Sequence, residues 1–157
     1  MIEQVRELLR REGVYYEAVP HPPAFTAHEL AHQLHAGDGV ALKVVVVELD
    51  GKTALCVVPA YARVDLHRLA EEAGAHRCTL VPETRFAHLF PGCEAGAMPP
   101  LGSLWGLPVF ADARLCESNR VVFPAGSHAE GIRISCADFL RVSGARLVEF
   151  ERPLAPA

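Results

Sequence analysis

Several things this chain lacks narrow the field before any motif is read. No apolar run approaches the roughly 20 residues needed to cross a bilayer, which excludes a membrane-spanning helix. The five cysteines, Cys56, Cys78, Cys93, Cys116 and Cys136, are odd in number and form no CxxC pair. That argues against a disulfide framework and a cysteine zinc site, and fits buried, reduced thiols in the cytosol. Positive charge is not in surplus. The net charge is −4, so the chain is not built to grip long stretches of duplex nucleic acid through phosphates. Lysine is scarce, two against thirteen arginines, a bias that a GC-rich genome produces without functional demand. There is no internal repeat, no dividing linker and no GxSxG nucleophile elbow.

What remains is an ordinary globular composition, 50% hydrophobic and 22% charged over 157 residues. One domain covering 1–157 is expected, long enough to bury a core without staples. MIEQVRELLRREG is charged and amphipathic, unlike a secretory signal, and the PLAPA tail is expected to fray.

Along the chain, Val5, Leu8 and Leu9 stripe a helix over 2–12 that stops at Gly13. VYYEAV (14–19) alternates as a strand. Thr26 opens a second helix, with Glu29 as its capping-box partner. VALKVVVVEL (40–49) reads as a central strand, turned by Asp50-Gly51 into TALCVVPA (53–60). Asp65 caps a helix ending at Gly74, and Pro82 opens another over 82–89. LPVFAD, RVVFPA and GIRIS are strands. Ser135 caps CADFLRV, and RLVEF is a last strand. Helices and hairpins without regular βαβ alternation predict an α+β fold, a bent, barrel-like mixed sheet surrounded by helices.

Four stretches carry chemistry. HELAH (28–32) matches HExxH, with His35 conceivable as a third ligand. Glu29 already serves the helix cap, and the motif sits in the first turn rather than mid-helix. A solvated helix end is therefore the better reading, with no metal expected. Lys43 interrupts an apolar strand. A buried ammonium is costly unless it is paired or reaches a ligand, and it suits a phosphate or a carboxylate. GAMPPLG (96–102) packs two glycines and two prolines together. Such a loop is stiff, and its few remaining N–H groups can aim at a carbonyl. AGSH (125–128) follows a strand. His128 can act as acid, base or donor there, and Ser127 as a nucleophile only if a base orients it. A tight corner and a polar surface loop are the plain alternatives for these last two.

Taken in order and spacing, HPPAFTAHELA, ALKVVVVELDG, VVPAYARVDLHRLA, CEAGAMPPLGSLWGLPVFAD and VVFPAGSHAEGIRISCADFLRV resemble the YbaK family over about residues 5–145. These are aminoacyl-tRNA deacylases related to the editing domain of bacterial prolyl-tRNA synthetases. The resemblance implies hydrolysis of the ester joining a wrong amino acid to tRNA. It assigns catalysis to Lys43, which would contact the terminal nucleotide, and to Gly96 of the family's GxxxP loop, Gly96 to Pro100. Backbone N–H groups of that loop would hold the ester carbonyl, and the tRNA's own 2′-hydroxyl would activate the water, so no triad is needed. Ala97, Met98, Pro99, Pro100, Gly102, Gly126, Ser127, His128, Phe25 and Thr26 become substrate-binding candidates. No cofactor is implied. The expected partner is the aminoacyl-tRNA acceptor end, with a synthetase supplying further tRNA affinity. The other readings left open are a binding module of the same fold without turnover and a zinc peptidase built on HELAH. GAMPP is bulkier than the serine- or threonine-containing loops of some relatives, which leaves the amino acid open between small ones such as alanine, serine and cysteine.

Overall fold

The computed structural model describes residues 1–20, 29, 31–32 and 38–150. Its elements run α1 (Glu3–Arg11), β1 (Glu17–Pro20), β2 (Val40–Leu49), β3 (Lys52–Pro59), α2 (Leu66–Ala73), β4 (Cys78–Leu80), α3 (Glu83–Phe86), β5 (Val109–Asp112), β6 (Arg120–Ser127), β7 (Glu130–Ser135), α4 (Cys136–Ser143) and β8 (Arg146–Val148). Short 3-10 turns occupy Ala87–Leu89, Gly102–Trp105 and Ala113–Glu117.

The strands form one mixed sheet in the order β1-β7-β6-β2-β3-β5-β8, with β4 on β2. The β2/β3 hairpin is in register from Leu42↔Pro59 to Leu49↔Lys52. The strands β2/β6, β3/β5 and β5/β8 pair in parallel. Strand alternation sorts the side chains cleanly between two faces. Leu42, Val46, Leu55, Val57, Val109, Ala111, Val121 and Phe123 turn to the first face, where Leu8 and Leu9 of α1 and Phe139 of α4 close the main core. Val47, Ala54, Cys56 and Val58 turn to the second face and pack under Leu69 of α2. Further along that face, Ala41, Ala60 and Val122 form a smaller apolar patch that Val19 and Ala31 cover.

Two of the caps read from sequence are in place. Asp65 accepts the Arg68 N–H at 2.9 Å and Ser135 accepts the Asp138 N–H at 3.0 Å. Other elements differ from expectation. The first strand begins at Glu17, not residue 14, because Val14 finishes the preceding helix: its N–H bonds to the Leu9 carbonyl at 2.9 Å and its side chain is buried in the main core. The helix expected over 82–89 is one α turn followed by a 3-10 turn, with Pro82 as its N-cap. The last strand stops at Val148. Strand β4 and the 113–117 turn carry no period of their own in the sequence. The helix expected to start at Thr26 lies largely outside the described residues, of which Glu29, Ala31 and His32 are helical.

Candidate functional site

The site begins where two parallel strands part. Strands β2 and β6 pair only through Val40↔Val121 and Ala41↔Val122. Beyond Ala41 that edge of β2 has no strand partner until Val46, whose carbonyl takes the Val81 N–H at 3.0 Å, and β4 pairs from Val47. Lys43 stands in this gap. Parallel strands that diverge leave a crevice past their carboxyl ends, a usual place for a ligand in α/β sheets.

The residues around Lys43 explain its cost and its direction. It faces the second side of the sheet, between Ala41 and Val45 and opposite Val58. It is half-buried and makes no hydrogen bond or ion pair among the described residues. An ammonium held in an apolar strand without a carboxylate partner keeps its charge available for an incoming anion. Its field reaches the core: burial foremost, with Cys78 and Asp112, pushes the Cys56 thiol up, and the Lys43 charge opposes that shift.

Across the gap, the loop takes over as the partner of β6. The Glu94 N–H donates to the Gly126 carbonyl at 2.8 Å, and the Gly126 N–H donates to the Ala97 carbonyl at 2.9 Å. The loop closes on itself through Ala97 N–H to the Glu94 carbonyl at 3.0 Å. Ala97, Met98, Pro99 and Pro100 are buried, while Gly96 is exposed at the tip. The N–H groups of Gly96 and Met98 find no acceptor among the described residues. Proline at 99 and 100 removes the next two donors outright. Two fixed donors on a clamped loop make a device for polarising a carbonyl oxygen.

Two glycines here are required by geometry. Gly96 has φ +79°, and Gly126 has φ +101° with its Cα side pressed against the Ile2 side chain. Gly102 has a different reason. A side chain there would run into the Leu107 carbonyl and Val109, and its own carbonyl takes the Leu107 N–H at 2.9 Å, so it holds the exit of the loop.

His128 braces the same loop. Its backbone N–H donates to the Glu94 carboxylate at 3.1 Å, and its Nε2 contacts the Ala95 carbonyl. A carbonyl only accepts, so Nε2 carries the proton, and the ring lies against Gly96. Ser127 Oγ accepts the Ala129 N–H at 3.0 Å, a local turn bond. The structure thus joins GAMPP and AGSH, which the sequence presents as separate loops. Lys43 lies on the neighbouring strand β2 and has no hydrogen bond to either among the described residues. Phe25 and Thr26 lie outside the described residues, as do His28 and His35 of the HELAH reading. Among the described residues no group of three His, Cys, Asp or Glu could hold a metal ion, and no helix is long and apolar enough to cross a membrane. Sequence reasoning passed over Glu94, whose carboxylate ties the two loops together. Its only signal was position, the last charge before an uncharged glycine- and proline-rich run.

A family model described as aminoacyl-tRNA editing domain matches residues 21–142 and so includes Lys43, the loop and His128. The chain belongs to the aminoacyl-tRNA editing domain family. Its activity is that of an aminoacyl-tRNA deacylase, an ester hydrolase acting on mischarged tRNA. Among curated proteins, this editing domain is 28% identical over 150 residues to the multifunctional Ser/Thr-tRNA deacylase ProXp-y of Escherichia coli K12, covering 92% of this chain and 89% of that protein. The same enzyme in strain O157:H7 matches equally. Among solved structures, a candidate trans-editing enzyme for prolyl-tRNA synthetase superposes with a TM-score of 0.76 at 23% identity, covering 96% of both chains. The hypothetical protein APE2540 superposes with a TM-score of 0.79 at 20% identity, over 94% of this chain and 98% of its own. At these identities the structural matches speak for the mixed-sheet fold.

Proposed function

We propose that this editing domain works in trans, as a free-standing protein, and removes a small hydroxylated amino acid from tRNA. In this reading the two unsatisfied N–H groups of Gly96 and Met98 receive the ester carbonyl and strengthen their bonds as it becomes an oxyanion. Lys43 holds the phosphate of the terminal nucleotide. The neighbouring 2′-hydroxyl of the terminal ribose assists the water, and His128, whose Nε2–H is held by the Ala95 carbonyl, positions the loop. The proton leaves the attacking water, the ester C–O bond breaks, and the ribose oxygen departs with a proton as amino acid and tRNA separate.

The observation that carries this reading is the pair of donors on a loop clamped to β6, the strand that leaves β2 just before Lys43. The choice of serine or threonine rests on the likeness to ProXp-y, named for Ser/Thr-tRNA. With a net charge of −4, contact is confined to the acceptor end in the cytoplasm, and a synthetase supplies the remaining tRNA affinity. Tight synthetase-independent binding of full-length tRNA at physiological salt would count against that last point.

The test is deacylation of a panel of mischarged tRNAs by wild type and Lys43→Ala, with and without a chelator. Hydrolysis of seryl- or threonyl-tRNA that is lost in the variant and indifferent to chelator supports the proposal. Chelator-sensitive turnover would move the chemistry to HELAH. Binding of every species without turnover would leave a binding module.

A further inference from the structure

Cys116 and Cys136 are 20 positions apart, and the sequence offers no reason to pair them. The fold brings their sulfurs to 3.5 Å. Cys116 is exposed, on the 113–117 turn after β5, and Cys136 is buried as the first residue of α4. From this geometry we infer that the two thiols form a reversible oxidation site, closed to an intramolecular disulfide by a hydroperoxide.

Three features favour the pair over the other cysteines. First, Cys136 is anchored to the segment that carries Cys116: its N–H donates to the Asn119 carbonyl at 2.8 Å and its thiol points to the Leu115 carbonyl at 3.5 Å. Closing the sulfurs to a bond length of about 2.05 Å is thus a small move of the exposed side chain. Second, the roles are unequal. Cys116 meets the solvent and is the sulfur a peroxide reaches first, while Cys136 is buried behind it as the sulfur that closes the bridge. Third, no other cysteine pair is in hydrogen-bonding contact, and Cys56 is buried.

The step balances. The Cys116 sulfur gives two electrons to the peroxide, breaking its O–O bond, and becomes a sulfenic acid as one water or alcohol leaves. The Cys136 sulfur then attacks that sulfur, its proton and the sulfenic hydroxyl depart as water, and the S–S bond forms. A thiol reductant reverses it. Neither sulfur lies in β2 or in the loop at 94–98, so the bridge staples the β5-turn to α4 without entering the site.

The test exposes the folded, full-length chain to hydrogen peroxide, then maps its peptides without reduction. The expected result is a mass loss of about 2 Da and a single Cys116–Cys136 cross-linked peptide. Both vanish in Cys116→Ser, which alters only an exposed side chain, and in Cys136→Ala. Oxidised wild type should also unfold about 5–10 °C higher than reduced, a difference absent from Cys116→Ser. A bridge to Cys56, Cys78 or Cys93, a dimer joined through Cys116, or a sulfinic acid at Cys116 with Cys136 still free would overturn the inference.

Discussion

Lys43 and the 94–98 loop are the two candidate parts of the site but are built in opposite ways. Lys43 sits on a ten-residue strand flanked by β3, so its backbone is fixed by the sheet and its chemistry is all side chain. The loop has no regular structure, and its Ala97 and Met98 side chains are buried as packing, so the donors it offers are backbone. The difference predicts how each can fail. A strand lysine can be cut away while the fold stands. A backbone device can be damaged only by moving the backbone, so mutations there must cost stability and activity together.

Lys43→Ala is the largest break. It should lower deacylation by at least about 100-fold, yet shift stability by less than about 0.5 kcal/mol, because the ammonium has no described partner to lose. Single-turnover deacylation beside a thermal melt reads both numbers. A large loss of stability with the activity would erase the proposed contrast.

Gly126→Ala should couple the two losses. A Cβ there meets Ile2 at a φ of +101°, so the variant should be destabilised by about 2–3 kcal/mol and lose roughly tenfold or more in kcat through a displaced loop. Denaturant unfolding and single-turnover rates check this, and full activity in a destabilised protein would show that the Gly126 clamp does not set the loop.

His128→Ala should act more gently, by about 3–10-fold, since it removes one brace and leaves the Gly126 bonds. If His128 only positions the loop, the rate should fall by the same factor across pH 6–8, with no new ionisation in the profile. A changed profile would make it an acid or base instead.

Asp65→Ala marks the floor. It removes the α2 cap on the second face, should cost about 1 kcal/mol in stability, and should leave the deacylation rate within twofold. Loss of activity there would mean that the gap at Lys43 is sensitive to any loosening of the sheet.

Much of this was legible from local rules. The helix caps at Asp65 and Ser135, the Asp50-Gly51 turn and the β-branched run around Lys43 each declare themselves within a few residues. Lys43 stood out because a cation in an apolar run is expensive wherever it folds. The GAMPP loop stood out because its composition restricts the backbone in any context. What escaped notice was non-local. Val14 reads as a strand residue by alternation, but the helix end claimed it. Strand β4 is three residues long and exists because β2 offers it an edge. Glu94 is one acidic residue among many until its carboxylate meets the His128 N–H, 34 positions away.

The sequence by itself determined the mixed fold class, the interrupted strand and the stiff loop, because propensity, capping and steric restriction act over short range. Only the tertiary structure decided that β6 leaves β2 after two pairs and takes the loop as its next partner, that AGSH lies against GAMPP, and that Cys116 meets Cys136. Those outcomes depend on which distant backbone groups satisfy one another once the two faces of the sheet are buried, and no window of sequence contains both halves of such a pair.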